Sequence, residues 1–156
     1  MTKSQLESLL SPYAEAPVRY ATTVERRLAA YMKKQHQQAE QLDSFVDMWH
    51  LFLETQMKVF CHILKKNGIT GSIKYGKLVW KSYTGKFPHP LIYWLQVDDY
   101  WVDYRARSWY TITSTANPEL NPLMEQIPFG VFVPDDYPHV SYTVHREYGM
   151  KFPKFQ

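Results

Sequence analysis

The chain has 156 residues, 45% of them hydrophobic and 16% aromatic, with a net charge of +3. This suits one domain with a real core and excludes general disorder. The mild charge and lack of a long basic run argue against a nucleic-acid protein, the single cysteine, Cys61, excludes an internal disulfide or a cysteine-based zinc site, and no apolar run reaches the roughly 18 residues of a membrane span.

Residues 1–21 read as a leader. Leu6, Leu9 and Leu10 can make a short helix that Pro12 and Pro17 break. Met1-Thr2-Lys3-Ser4-Gln5 lacks the apolar centre of a signal peptide, so the expected location is cytoplasmic. Residues 22–67 form the helical part. Thr22 and Glu25 have capping-box spacing, and the polar segment to about Glu40 reads as a surface helix with a narrow stripe of Val24, Leu28, Tyr31 and Met32.

The strongest helix runs from Asp43 to Lys66. Phe45, Met48, Trp49, Phe52, Leu53, Phe60, Ile63 and Leu64 recur at helical spacing, Asp43 or Ser44 can cap the start, and Asn67-Gly68 ends it.

After Gly71 the pattern turns to strands, over residues 72–146. Ser72–Ser82, Leu91–Val97 and Tyr100–Tyr104 are rich in Ile, Val, Tyr and Trp, with Asp98-Asp99 as the tight turn between the last two. Arg107–Thr113 reads as a further strand or an irregular segment. Thr115–Pro128, with Asn117-Pro118 and Asn121-Pro122, reads as loop with a helical turn. Gly130–Val133 and Val140–Arg146 complete the strands, and Gly149–Gln156 is a basic, aromatic tail. The expected fold class is α+β: N-terminal helices packed on an antiparallel sheet in one domain.

The densest chemistry lies between His89 and Asp103. His89 opens one apolar strand and Asp103 closes the next, so the two can face each other across an antiparallel ladder. An aspartate that accepts from one ring nitrogen frees the other as a base, as in a nucleophilic triad. The alternative is a histidine that satisfies a buried carboxylate with no chemistry attached.

The order of helix, strand, His-led strand and Asp-bearing strand resembles the papain-like superfamily, above all its transglutaminase-like and arylamine N-acetyltransferase-like branches. His89 and Asp103, fourteen residues apart, and Val102-Asp103 after an acidic turn and an aromatic carry the resemblance, over about residues 43–105. It implies a papain-like core and amide or acyl-transfer chemistry on a protein or peptide. A nucleophilic cysteine would stand at the N-terminus of the core helix, where Asp43, Ser44 and Phe45 stand here. Asp103-Tyr104-Arg105-Ala106-Arg107-Ser108-Trp109, followed by Pro128-Phe129-Gly130-Val131-Phe132, also resembles small uncharacterised bacterial and phage proteins, which implies kinship without an activity.

Two residues are candidate nucleophiles. Cys61 falls late in the helix, at the end whose dipole disfavours a thiolate, and is otherwise an inert small side chain. Ser44 is at the favourable end and is otherwise a cap. Arg105 and Arg107 follow Asp103 at strand spacing and would share a face, able to fork onto an anion or to neutralise carboxylates. His139 and His145, near Asp135, Asp136 and Glu147, lack tight metal-ligand spacing, so no metal is expected. Phosphate-loop and nucleophile-elbow motifs are absent, and no cofactor is expected. Trp80, Trp94, Trp101 and Trp109 serve either as core or as a stacking surface. Three functions follow: a Cys- or Ser-dependent acyl-transfer protein, an inactive papain-like binding or inhibitor protein using the same pocket, and a weak nucleic-acid binder through the basic helices and the tail residues Lys151 and Lys154.

Overall fold

A computed structural model describes residues 1–14, 42–82, 89–113 and 118–150. The helix expected over Thr22–Glu40 and the tail beyond Met150 lie outside the described residues. Among the described residues, three α-helices, α1 (Lys3–Leu10), α2 (Leu42–Lys66) and α3 (Ala106–Thr113), accompany five strands. The strands are β1 (Ser72–Trp80), β2 (Leu91–Val97), β3 (Tyr100–Asp103), β4 (Gly130–Phe132) and β5 (Val140–Tyr148). The α+β class and the antiparallel sheet are as the sequence implies. The spatial order β4-β3-β2-β1-β5 makes the first four strands a meander and returns β5 to the free edge of β1.

The described part of the leader, residues 1–14, is ordered against the rest of the fold. Thr2 and Gln5 form a capping box for α1, with Thr2 N donating to Gln5 Oε1 at 2.9 Å and Gln5 N to Thr2 Oγ1 at 3.2 Å. Leu6 and Leu10 have no exposed surface, and the amide of buried Gln56 on α2 donates to the Ala14 carbonyl at 2.8 Å. Residues 3–14 therefore pack on the core through Leu6, Leu10 and Ala14.

Asn67-Gly68 ends α2 as expected. Gly68 has φ +68°, Ile69 N donates to Leu64 O at 2.9 Å and Gly68 N to Lys65 O at 3.0 Å, the pair of bonds of a Schellman cap. The Asp98-Asp99 turn is tight: Val97 and Tyr100 pair directly, and Asp98 takes φ +53°.

Around β2 both faces of the sheet are covered, while most of the edge strand β5 is exposed. Strand β2 has Ile92, Tyr93, Trp94, Leu95 and Val97 all buried, the run of apolar residues expected of a strand packed on two sides. Side chains directly opposite each other in a ladder share a face. The register thus puts Tyr93, Leu95, Val102, Val131 and Ile73 on one face, where α2 lies with Glu54 near Tyr93. Trp94, Ile92, Leu78, Trp80, Trp101, Asp103, Phe132 and Tyr142 share the other.

The segment Arg107–Thr113 corrects the expectation of a strand: it belongs to α3. Its Trp109 and Tyr110 have different neighbours. The Trp109 ring packs edge-on against Trp49 of α2, with centroids 5.0 Å apart, and the Tyr110 ring packs edge-on against Trp80 of β1 at 5.3 Å. An amphipathic single helix thus joins α2 to the sheet.

Strand β5 carries a bulge. Tyr75 pairs with Arg146 and Gly76 with Val144, which leaves His145 as the extra residue. A Cβ on Gly76 would overlap the Thr143 carbonyl, so only glycine fits this crossing. Gly76→Ala should lower the unfolding free energy by about 1–3 kcal/mol, read from urea midpoints. Gly149→Ala, where nothing lies within 4 Å of the added carbon, should stay near wild type.

Candidate functional site

The expected pairing of His89 with Asp103 does not form, because the register of β2 with β3 prevents it. Leu95 faces Val102 and Gln96 faces Trp101, so Asp103 continues the ladder level with Trp94, well past His89. The chain then leaves the sheet for α3. Opposite the beginning of β2 stands a helical side chain: His89 Nδ1 lies 2.6 Å from the Tyr110 hydroxyl. The nitrogen that a triad would turn toward its carboxylate is held by a phenol. Partial burial and the Lys77 charge both hold the imidazole below the usual histidine range, which favours its neutral form.

Asp103 is 1% exposed and its carboxylate is fully engaged. Oδ1 accepts from the backbone N–H of Arg105 and of Ala106, each at 2.9 Å, and Oδ2 accepts from the Tyr142 hydroxyl at 2.8 Å. The first two bonds satisfy N–H groups at the beginning of α3 that have no partner inside the helix. The third ties β3 to β5. Burial pushes the Asp103 carboxyl above the usual carboxylate range, and the three donors and the Arg105 charge oppose that rise. Its role is structural: it turns a strand into a helix and anchors a distant strand.

Cys61 is 4% exposed within the core. Burial pushes its thiol up to about 11, against a smaller pull from Lys65. This is the reverse of an activated thiol. Ser44 falls within the first turn of α2, and its side chain lies outside the described residues.

The expected row of Asp103, Arg105 and Arg107 on one strand face is also corrected, since β3 ends at Asp103 and Arg107 is helical. The Arg107 guanidinium donates through Nε and Nη2 to the Ile127 carbonyl at 3.2 and 2.7 Å and sits 5.3 Å over the Phe129 ring. It holds the approach to β4, which removes it from an anion site. Among the described residues no group of three or more His, Cys, Asp or Glu side chains could hold a metal ion.

The structure assembles a different constellation on the sheet face that Asp103 shares. A cavity of about 240 Å³ opens there, lined by Trp101, Phe132, Pro134, Tyr137, Val140, Ser141 and Tyr142. Its rings meet at steep angles. Trp101 and Tyr142 stand perpendicular at 5.3 Å between centroids, and Phe132 and Tyr137 at 86° and 5.2 Å. Behind them Trp94 is wholly buried against Tyr142 at 4.8 Å and Trp101 at 5.7 Å. The sequence signals Trp94 and Trp101, but Phe132, Tyr137 and Tyr142 come from segments that only the return of β5 brings together.

Glu54 is the strongly shifted acid that sequence reasoning passed over. Partial burial between α2, on which it sits, and the sheet pushes its carboxyl up to about 7, with Lys58 opposing.

Comparison with known protein families, curated proteins and solved structures finds no match. No helix among the described residues is long and apolar enough to cross a membrane.

Asp103→Ala strands two backbone donors and the Tyr142 hydroxyl, and should cost about 2–4 kcal/mol in urea unfolding. Tyr142→Phe, which removes only the third bond, should cost about 1 kcal/mol. For Glu54, the folded chain holds a proton between the ordinary value of 4.5 and about 7 that the unfolded chain has released. Stability therefore falls as pH rises through that window. Glu54→Gln should raise stability by roughly 1 kcal/mol at about pH 8, after screening by solvent, and give no gain at about pH 4.

Proposed function

We propose that this chain is a recognition module that holds a small ligand in the aromatic cavity on the sheet, without acyl-transfer chemistry. The observation that carries this reading is the division of labour around Asp103. The carboxylate that a triad would need is spent on the beginning of α3 and on Tyr142, and the same bond braces a ring that walls the cavity. The buried, strongly protonated thiol of Cys61 and the His89–Tyr110 contact point the same way. The progression from a long helix to antiparallel strands fits a papain-like or transglutaminase-like frame that serves binding.

Small-molecule sites are concave, largely apolar and carry a few fixed polar groups. This cavity has four aromatic walls, a proline, a valine and the Ser141 residue. It lies below the roughly 300–1,000 Å³ of drug-sized pockets, which suits a small ligand or a single protruding group.

Two measurements on the intact chain test the proposal. Iodoacetamide at about pH 8 should alkylate Cys61 roughly a hundredfold more slowly in the native chain than in urea. Ligand-observed NMR against a small-fragment library should return binders that Trp101→Leu loses while keeping the wild-type circular dichroism. Rapid native alkylation of Cys61 joined to amide hydrolysis that His89→Ala abolishes would overturn the reading, as would a library in which no binder depends on Trp101.

A further inference from the structure

A second concavity lies where α1 packs against β4, and it shares no lining residue with the aromatic cavity. It is a groove of about 370 Å³, broadly open to solvent, lined by Glu7, Ser8 and Ser11 from the leader and by Tyr104, Phe129 and Gly130 from the sheet side. The apolar part is an exposed ring held in place. Phe129 is 45% exposed, yet its ring stands edge-on to Tyr104 at 5.2 Å, and the Arg107 guanidinium lies 5.3 Å over it while donating to the Ile127 carbonyl. Tyr104 in turn packs edge-on against Phe60 of the core at 5.8 Å. A large apolar side chain fixed at the surface in this way has the character of an interface anchor. Gly130 takes φ +100°, a backbone conformation that side chains rarely adopt, so the floor beside Tyr104 stays clear.

The polar part of the groove is acidic. Among the described residues that line it, Glu7 carries a negative charge and none carries a positive one. Burial, and after it the Glu7 charge, pushes the Tyr104 phenol up to about 12, so carboxylate and phenol lie near each other and the phenol stays neutral. The Ser8 and Ser11 hydroxyls add further oxygens on the α1 side. An anion would meet a carboxylate here. A cation on an apolar stem matches both parts of the groove. A guanidinium suits it better than an ammonium, because it presents several N–H donors in one plane, forks onto a carboxylate and is more weakly hydrated. A free small cation would gain little, since a single exposed ion pair is weak in water. The occupant must also cover Phe129, which calls for a polypeptide whose flanking residues lie over that ring.

We propose that the groove between α1 and β4 receives an arginine side chain of a partner polypeptide, with its guanidinium on Glu7 and its stem along Phe129. The serine hydroxyls accept from the remaining N–H groups, and the residues on either side of the arginine cover the exposed ring. Arg107 does not line the groove, and its guanidinium is committed to the Ile127 carbonyl and to the Phe129 ring. The site stands independently of the aromatic cavity.

The test uses the full chain and matched pools of short acetylated peptides, titrated at fixed ionic strength and followed by the amide NMR signals. One pool carries a central arginine between variable apolar residues. The other carries citrulline there, the uncharged isostere. Agmatine serves as the free small cation. The arginine pool should shift the amides of Ser8, Ser11 and Gly130 and bind at least about fivefold more tightly than the citrulline pool. Glu7→Gln should bring the arginine pool down to the citrulline level and leave the citrulline pool unchanged. Phe129→Ala, folded by circular dichroism, should weaken both pools, and Trp101→Leu should weaken neither.

Equal binding of the two pools, or an arginine preference that survives Glu7→Gln, would overturn the proposal. No shift at those amides with the arginine pool at millimolar concentration would overturn it too. Agmatine binding as tightly as the peptides would overturn the polypeptide as occupant. Trp101 lies outside the groove, so these results and those for the aromatic cavity are read separately.

Discussion

The fold turns on a single buried carboxylate. Asp103 meets two backbone donors at the beginning of α3 and the hydroxyl of Tyr142 on β5. Without an acceptor at that point, the chain leaving β3 would bury N–H groups with no partner, and such groups are costly in a protein interior. The carboxylate removes that cost and joins three elements distant in sequence. Three donors offset part of the cost of burying the carboxyl, and burial still holds it above the usual carboxylate range.

Much of the remaining geometry follows. Because the chain turns into a helix directly after Asp103, Tyr110 can occupy the space beside His89 and pack on Trp80. Ser108 then receives the indole N–H of Trp49 at 3.0 Å while its own hydroxyl donates to the Arg105 carbonyl at 2.7 Å, which fastens α3 to α2. Trp80 in turn donates to Gln126 in the turn before β4 at 3.0 Å. Each of these contacts presupposes a helix in that place. The bulge at His145 plays the matching part on β5, because a strand held by Tyr142 at one point must still follow a twisted neighbour past Gly76.

The sequence was most informative where a local rule governs. Leu91–Val97, the Asp98-Asp99 turn and the Gly68 end of α2 are all set by residues within a few positions, through apolar run, turn chemistry and left-handed backbone preference. The α3 segment was not legible as helix. Arg107–Thr113 has aromatic and β-branched residues that favour strands, and what makes it helical is the side chain of Asp103, three residues upstream of its first turn. The site was readable only in part. The tryptophans are open in sequence to a stacking surface or a core, and Trp94 is buried core while Trp101 lines the cavity. Phe132, Tyr137 and Tyr142 join them only through strand order, which no local pattern encodes.

A histidine and an aspartate at triad-like spacing illustrate why spacing alone underdetermines chemistry. Two residues at the ends of neighbouring strands meet only if the register brings them level, and the two-residue turn at Asp98-Asp99 fixes the register elsewhere. Once the register is fixed, burial decides the protonation states. The thiol of Cys61, deep in α2 and near its C-terminal end, is held in its neutral form, and partial burial with the Lys77 charge shifts the His89 imidazole toward its neutral form. A nucleophile needs the opposite field: the positive end of a helix, or a cation beside the sulfur. The Asp103 carboxyl lies behind Tyr142, bound to it and to the beginning of α3, where it cannot orient a base. Such an arrangement is poorly suited to activating a nucleophile.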